Sequence, residues 1–88
     1  MRYFVKSHLS PDKVEEFTRK VANHEVRTVE DNVSYVTPDG RVGYDIVECR
    51  DENDCRQKYS DLVQNGLMID EMTPIEPMGQ FLEEFTSR

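Results

Sequence analysis

The sequence predicts an α+β domain in which four antiparallel strands carry two helices on one face, with a short helix at the C-terminus. Three observations predict it. An aromatic, partly alternating stretch runs into a Ser-Pro helix start. Two β-prone stretches flank Pro-Asp-Gly, and an acidic amphipathic stretch closes on Asn-Gly before a last apolar run. At 88 residues, one domain over 1–88 is expected, because two would each be too small to bury a core.

Residues 2–9 (RYFVKSHL) read as the first strand, with Tyr3, Val5 and Ser7 pointing one way and Phe4, Lys6 and His8 the other. Ser10 is placed to cap the first helix, and Pro11 stands at its first position, where the missing N–H costs nothing. Leu9 and Val14 occupy hydrophobic-staple positions, and Val14, Phe17 and Val21 make one apolar stripe to about Asn23. Residues 24–32 (HEVRTVEDN) show no clear period and read as a connection.

Val33 to Thr37 is a short strand, and 41–49 (RVGYDIVEC) returns after Pro38-Asp39-Gly40, where Pro presets φ and Gly accepts φ > 0. In 51–66, Cys55, Tyr59, Leu62 and Val63 share a helical face, and Asn65-Gly66 supplies the C-cap. Leu67 to Ile75 reads as the fourth strand, Pro74 favouring its end or a sheet edge. Plain alternation puts Met68 and Met72 on one side and Leu67, Ile69 and Ile75 on the other. Met78, Phe81, Leu82 and Phe85 mark the C-terminal amphipathic helix.

Right-handed crossovers turn this β-α-β-β-α-β order into a ferredoxin-like arrangement. Helices then cover one sheet face, and the other must meet water, a ligand or a second subunit. That face is mixed rather than polar, which points to an interaction surface. Composition agrees. Only 36% of residues are apolar, mean hydropathy is −0.74, and mass scaling leaves roughly 5,300 Å² of about 15,000 Å² exposed after folding. A lone subunit would be lean in core, and a homodimer through the open sheet face is expected.

A net charge of −7 opposes a phosphate-backbone binder, so no nucleic-acid partner is expected. No apolar run approaches the ~20 residues of a membrane span, and MRYFVKSHLS lacks the apolar core of a secretory signal. A cytoplasmic setting follows, with Cys49 and Cys55 reduced; whether the two ever pair stays open. Their spacing matches neither a CxxC pair nor a zinc knuckle, and the two histidines complete no ligand set. No metal and no cofactor is expected.

Two stretches carry a family likeness. RYFVKSHLSP, and VGYDIVECRDENDCRQKYSDL followed by IDEMTPI, resemble the dimeric α+β barrel superfamily, nearest to its small uncharacterised domains. The chain is more distantly similar to muconolactone-isomerase-like proteins. The resemblance implies two ferredoxin-like subunits packed sheet to sheet. It carries over no catalytic motif, because the superfamily spans isomerases, monooxygenases, haem enzymes and members without known activity.

Candidate catalytic residues are His8, whose ordinary pKa suits a general base near neutral pH, and Glu48, a strand carboxylate beside an aromatic and therefore open to a raised pKa. Tyr3, Lys6, Tyr44 and Asp70 are candidate ligand contacts. The plainer alternatives are a strand-end histidine bonded to a loop, and a Glu48 paired with Lys6, Arg2 or Arg41. His24, just past the first helix, reads as a capping or solvated side chain. By alternation Asp70 and Glu71 face opposite ways. The function expected is binding of a small apolar or aromatic molecule between sheet and helices, with isomerase-like or monooxygenase-like acid–base chemistry. The alternative is a non-catalytic oligomerisation or adaptor module, and a thiol redox protein is a third reading.

Overall fold

The computed structural model describes residues 1–30 and 32–88; Asp31, at the end of the expected connection, lies outside them. Strands β1 (Arg2–His8), β2 (Asn32–Val36), β3 (Val42–Glu48) and β4 (Met68–Ile75) form one antiparallel sheet in the order β2-β3-β1-β4. A 3₁₀ turn (Pro11–Lys13) leads into α1 (Val14–Ala22). Helices α2 (Glu52–Lys58) and α3 (Ser60–Gln64) follow β3, and α4 (Met78–Thr86) comes last. The α+β class and the four-stranded antiparallel sheet are therefore as expected.

Period-two alternation sorts the sheet into two faces. Tyr3, Val5 and Ser7 of β1 and Val47 of β3 are buried with Cys55, Tyr59 and Leu62, and Phe17 and Val21 of α1 pack against this cluster. The connection after α1 adds two core residues that its irregular pattern hid, Val26 and Val29, both buried. Phe4, Lys6 and His8 lie on the opposite face, as do their β3 partners Ile46, Tyr44 and Val42.

In β4, plain alternation fails. The register against β1 shifts between Lys6 and Ser7, because Glu71 pairs with Lys6 while Ile69 pairs with Ser7. The extra residue, Asp70, is a β-bulge. Met68 and Ile75 thus sit opposite His8 and Arg2 on the open face, whereas Ile69 and Met72 sit opposite Ser7 and Val5 on the helix side. Asp70 bonds His8, and Glu71 accepts from Thr73 at 2.8 Å, so both carboxylates reach the open face. Met68 and Met72 are on different faces, and Asp70 and Glu71 are on one. A single inserted residue changes parity for everything beyond it.

Helix ends show which signals act. Ser10 makes no side-chain cap; its carbonyl instead accepts from the Lys13 N–H at 2.9 Å and closes the 3₁₀ turn. Asp51 does cap α2, accepting from the Asp54 N–H at 2.8 Å. The single helix expected over 51–66 breaks at Tyr59, whose N–H is shared between the Cys55 and Arg56 carbonyls.

Both α1 and α3 end in Schellman motifs: Glu25 N–H to Lys20 O with His24 N–H to Val21 O, and Leu67 N–H to Leu62 O with Gly66 N–H to Val63 O. The left-handed position is Gly66 in one (φ 113°) and His24 in the other (φ 59°). A side chain with a Cβ is strained there, so His24→Gly is expected to raise stability by about 1 kcal/mol in urea unfolding. A loss of stability would mean that the His24 ring makes contacts worth more than that strain.

At the β2–β3 turn, Gly40 has φ 75°, and a Cβ there would meet Val14 Cγ1 at 2.9 Å, so this glycine lets α1 approach the hairpin. By contrast, every residue of α4 is exposed, including Met78, Phe81, Leu82 and Phe85. The chain is accordingly long, 50 × 24 × 18 Å, with a radius of gyration of 14.9 Å against about 12 Å for a compact chain of this length. Its accessible surface of 6391 Å² exceeds the roughly 5,300 Å² expected from mass. No helix among the described residues is long and apolar enough to cross a membrane.

Candidate functional site

A cavity of about 350 Å³ opens between the helices and the sheet. It exists because β1 and β3 present small groups there. Ser7 and Gly43 face each other across the strands, and a Cβ on Gly43 would stand 3.1 Å from Ser7 Oγ. Apolar side chains of Phe17 and Val21 from α1, Val29 from the connection, Leu62 from α3 and Leu67 line much of the wall.

A polar cluster breaks that wall. Asp45 of β3 points to the helix side, Oδ1 accepting from Ser34 Oγ at 2.5 Å and Oδ2 from Tyr59 Oη at 2.6 Å. Ser34, Asp45 and Tyr59 all border the cavity. Tyr59 is almost wholly buried, and burial, reinforced by the neighbouring Asp45 carboxylate, drives its phenol well above the ordinary value. It therefore stays protonated and donates. No cation lies within 4 Å of Asp45 among the described residues.

The candidates read from the sequence stand elsewhere. Lys6, His8, Tyr44, Glu48 and Asp70 are on the open face, and Tyr3 is buried in the core near Cys55, its hydroxyl 3.6 Å from Met1 Sδ. His8 Nδ1 donates to Asp70, 2.8 Å from both carboxylate oxygens, an encounter created by the bulge. Lys6 Nζ stands 6.0 Å from the Tyr44 ring centre. His8 and Glu48 are not brought together: His8 pairs with Val42 and Arg2 with Glu48, a separation of roughly 20 Å along the strand.

Glu48 also behaves opposite to expectation. It accepts from Arg2 Nε at 2.9 Å and from the N-terminal ammonium at 3.3 Å, and the Arg2 hydrogen bond holds its carboxyl below the usual range rather than above it. The plainer alternative, an ion pair with Arg2, is the observed one.

Asp45, Ser34, Tyr59 and Gly43 were missed as site residues. The available signal was parity: Asp45 alternates in phase with Val47 and Cys49, which places a carboxylate on the core side of a strand.

Both cysteines are buried and free. Burial, with a hydrogen bond to Cys49, pushes the Cys55 thiol up to about 12, whereas thiol redox chemistry needs an accessible thiolate. Native protein at pH 8 is therefore expected to resist iodoacetamide and to label only as fast as it unfolds. Rapid labelling of folded protein would contradict this burial.

Among the described residues, no group of three or more His, Cys, Asp or Glu is arranged to hold a metal ion. Comparison with family models, curated proteins and solved structures gives no match.

Proposed function

We propose that the chain is one ferredoxin-like subunit of a homodimeric α+β barrel in the cytoplasm, and that each subunit binds a small apolar or aromatic molecule in its helix–sheet cavity. The cavity is the observation that carries this reading. Its volume falls at the small end of ligand pockets, roughly 300–1,000 Å³, and its make-up, apolar with a few converging polar groups, is what such pockets share. It also favours a binding protein over a purely non-catalytic oligomerisation module, which would need no such space. Binding rather than proton transfer is proposed, because His8 and Glu48 lie outside the cavity.

The dimer rests on three features. Phe4, Val33, Tyr44, Ile46 and Ile75 form an apolar field on the open face, and a contiguous apolar patch is what an interaction surface presents. Charges of both signs share that face, with Arg2 paired to Glu48, His8 bonded to Asp70 and Lys6 in register with Glu71, so a second copy turned about a two-fold axis can set unlike charges against each other. The undocked stripe of α4 offers further surface to a partner copy. A two-fold contact would bury both.

Thermal unfolding with a set of small aromatic and cyclic apolar compounds tests the cavity. A compound at ten times its Kd adds about 1.4 kcal/mol, enough to raise Tm by several degrees in a chain this size. No shift from any compound at millimolar concentration would overturn the proposal.

A further inference from the structure

We propose that Asp45 anchors the ligand and that the cavity selects a small aromatic molecule carrying a protonated amine. This rests on the cavity being the binding site and adds the class of ligand.

The inference starts from an imbalance of charge. A carboxylate offers about four acceptor positions. Ser34 and Tyr59 fill one each, which leaves acceptor capacity on a group that borders the cavity. Asp54 is the instructive contrast: it too is largely shielded, and it has Arg50 at 3.2 Å and Lys58 at 3.8 Å. Asp45 is half-buried with two neutral hydroxyls and no cation within 4 Å among the described residues. A charge set into an apolar wall without a counter-ion is costly, and a ligand ammonium removes that cost while donating hydrogen bonds.

Geometry fits the rest of such a ligand. Tyr59 is packed into the core and holds the carboxylate in a fixed place, so little order is lost on binding. Phe17, Val21 and Leu62 supply walls for one ring, and the volume suits a ring with a short chain. Arg41 also borders the cavity and would instead favour an anionic ligand.

Calorimetric titration with four compounds of similar size and different charge decides between these: 2-phenylethylamine, 2-phenylethanol, propylbenzene and phenylacetate. The amine is expected to bind roughly tenfold or more tighter than propylbenzene, with the alcohol between and phenylacetate weakest. Asp45→Asn should bring amine and hydrocarbon to within about twofold of each other, while Tyr59→Phe, which keeps ring and carboxylate, should retain the preference. The wild-type ranking stands as a test even if Asp45→Asn does not fold. Equal binding of amine and propylbenzene, or tightest binding of phenylacetate, would overturn the proposal and leave the cavity as a binding site. If none of the four binds wild-type protein, this proposal falls, and the broader compound screen decides separately whether the cavity binds anything.

Discussion

Replacing Ile46 with lysine is expected to turn a dimer into a folded monomer. Ile46 is exposed near the middle of the open face, with Phe4 of β1 and Val33 of β2 in register on either side. Phe4 and Tyr44 meet edge to face at 6.3 Å beside it. Within one subunit the change should cost little, because the side chain already faces water. Across a two-fold interface it appears twice and would bury two ammonium groups without partners.

Breaking the balance of a buried charge typically costs about 3–5 kcal/mol, so dissociation should strengthen at least ~100-fold. Light scattering should give twice the 10.3 kDa subunit mass for wild type and the subunit mass for Ile46→Lys, with unchanged circular dichroism. A wild-type monomer would remove the dimer.

Tyr59→Ala is expected to be the most damaging single substitution. The ring is 1% exposed, seated among Tyr3, Val5, Val47 and Cys55, and its removal leaves a cavity that should cost about 3–5 kcal/mol. At roughly 0.05–0.15 kcal/mol per residue, total stability for a chain of this length is about 4–13 kcal/mol. The substitution therefore takes roughly a quarter of it or more. Tyr59→Phe keeps the ring and loses the bond to the Asp45 carboxylate, for about 1.5–3 kcal/mol. Tyr35, 70% exposed on the edge strand, serves as control: Tyr35→Ala should stay within about 0.5 kcal/mol of wild type. Urea unfolding measures all three, and a Tyr59→Ala cost no larger than that of Tyr35→Ala would contradict the packing described.

Most of the architecture was legible because its signals are local. Pro-Asp-Gly sets the β2–β3 turn, Asn65-Gly66 ends α3, and the stripes of α1 and α4 repeat at helical spacing. What failed depended on contacts between strands. The Asp70 bulge has no mark in the sequence, yet it reverses the faces of Met68 and Ile69 relative to Met72 and Ile75. Val26 and Val29 reach the core from a segment without period. The site was least legible. His8 and Glu48 are side chains suited to proton transfer, and β1–β3 register puts them at opposite ends of the sheet. Asp45 was visible only as a carboxylate in phase with core residues, and its partners Ser34 and Tyr59 come from β2 and the α2–α3 junction.

The central claim, that ligands enter between helices and sheet while the open face is kept for a second subunit, is tested most directly by methyl NMR. Protein labelled at Ile, Leu and Val methyls would be titrated with an aromatic ligand that stabilises it. Val21, Val29 and Leu62 line the cavity, whereas Val33, Ile46 and Ile75 lie on the open face. The first three are expected to shift and the second three to stay put. Shifts confined to Val33, Ile46 and Ile75 would contradict the claim and move the binding site to the open face.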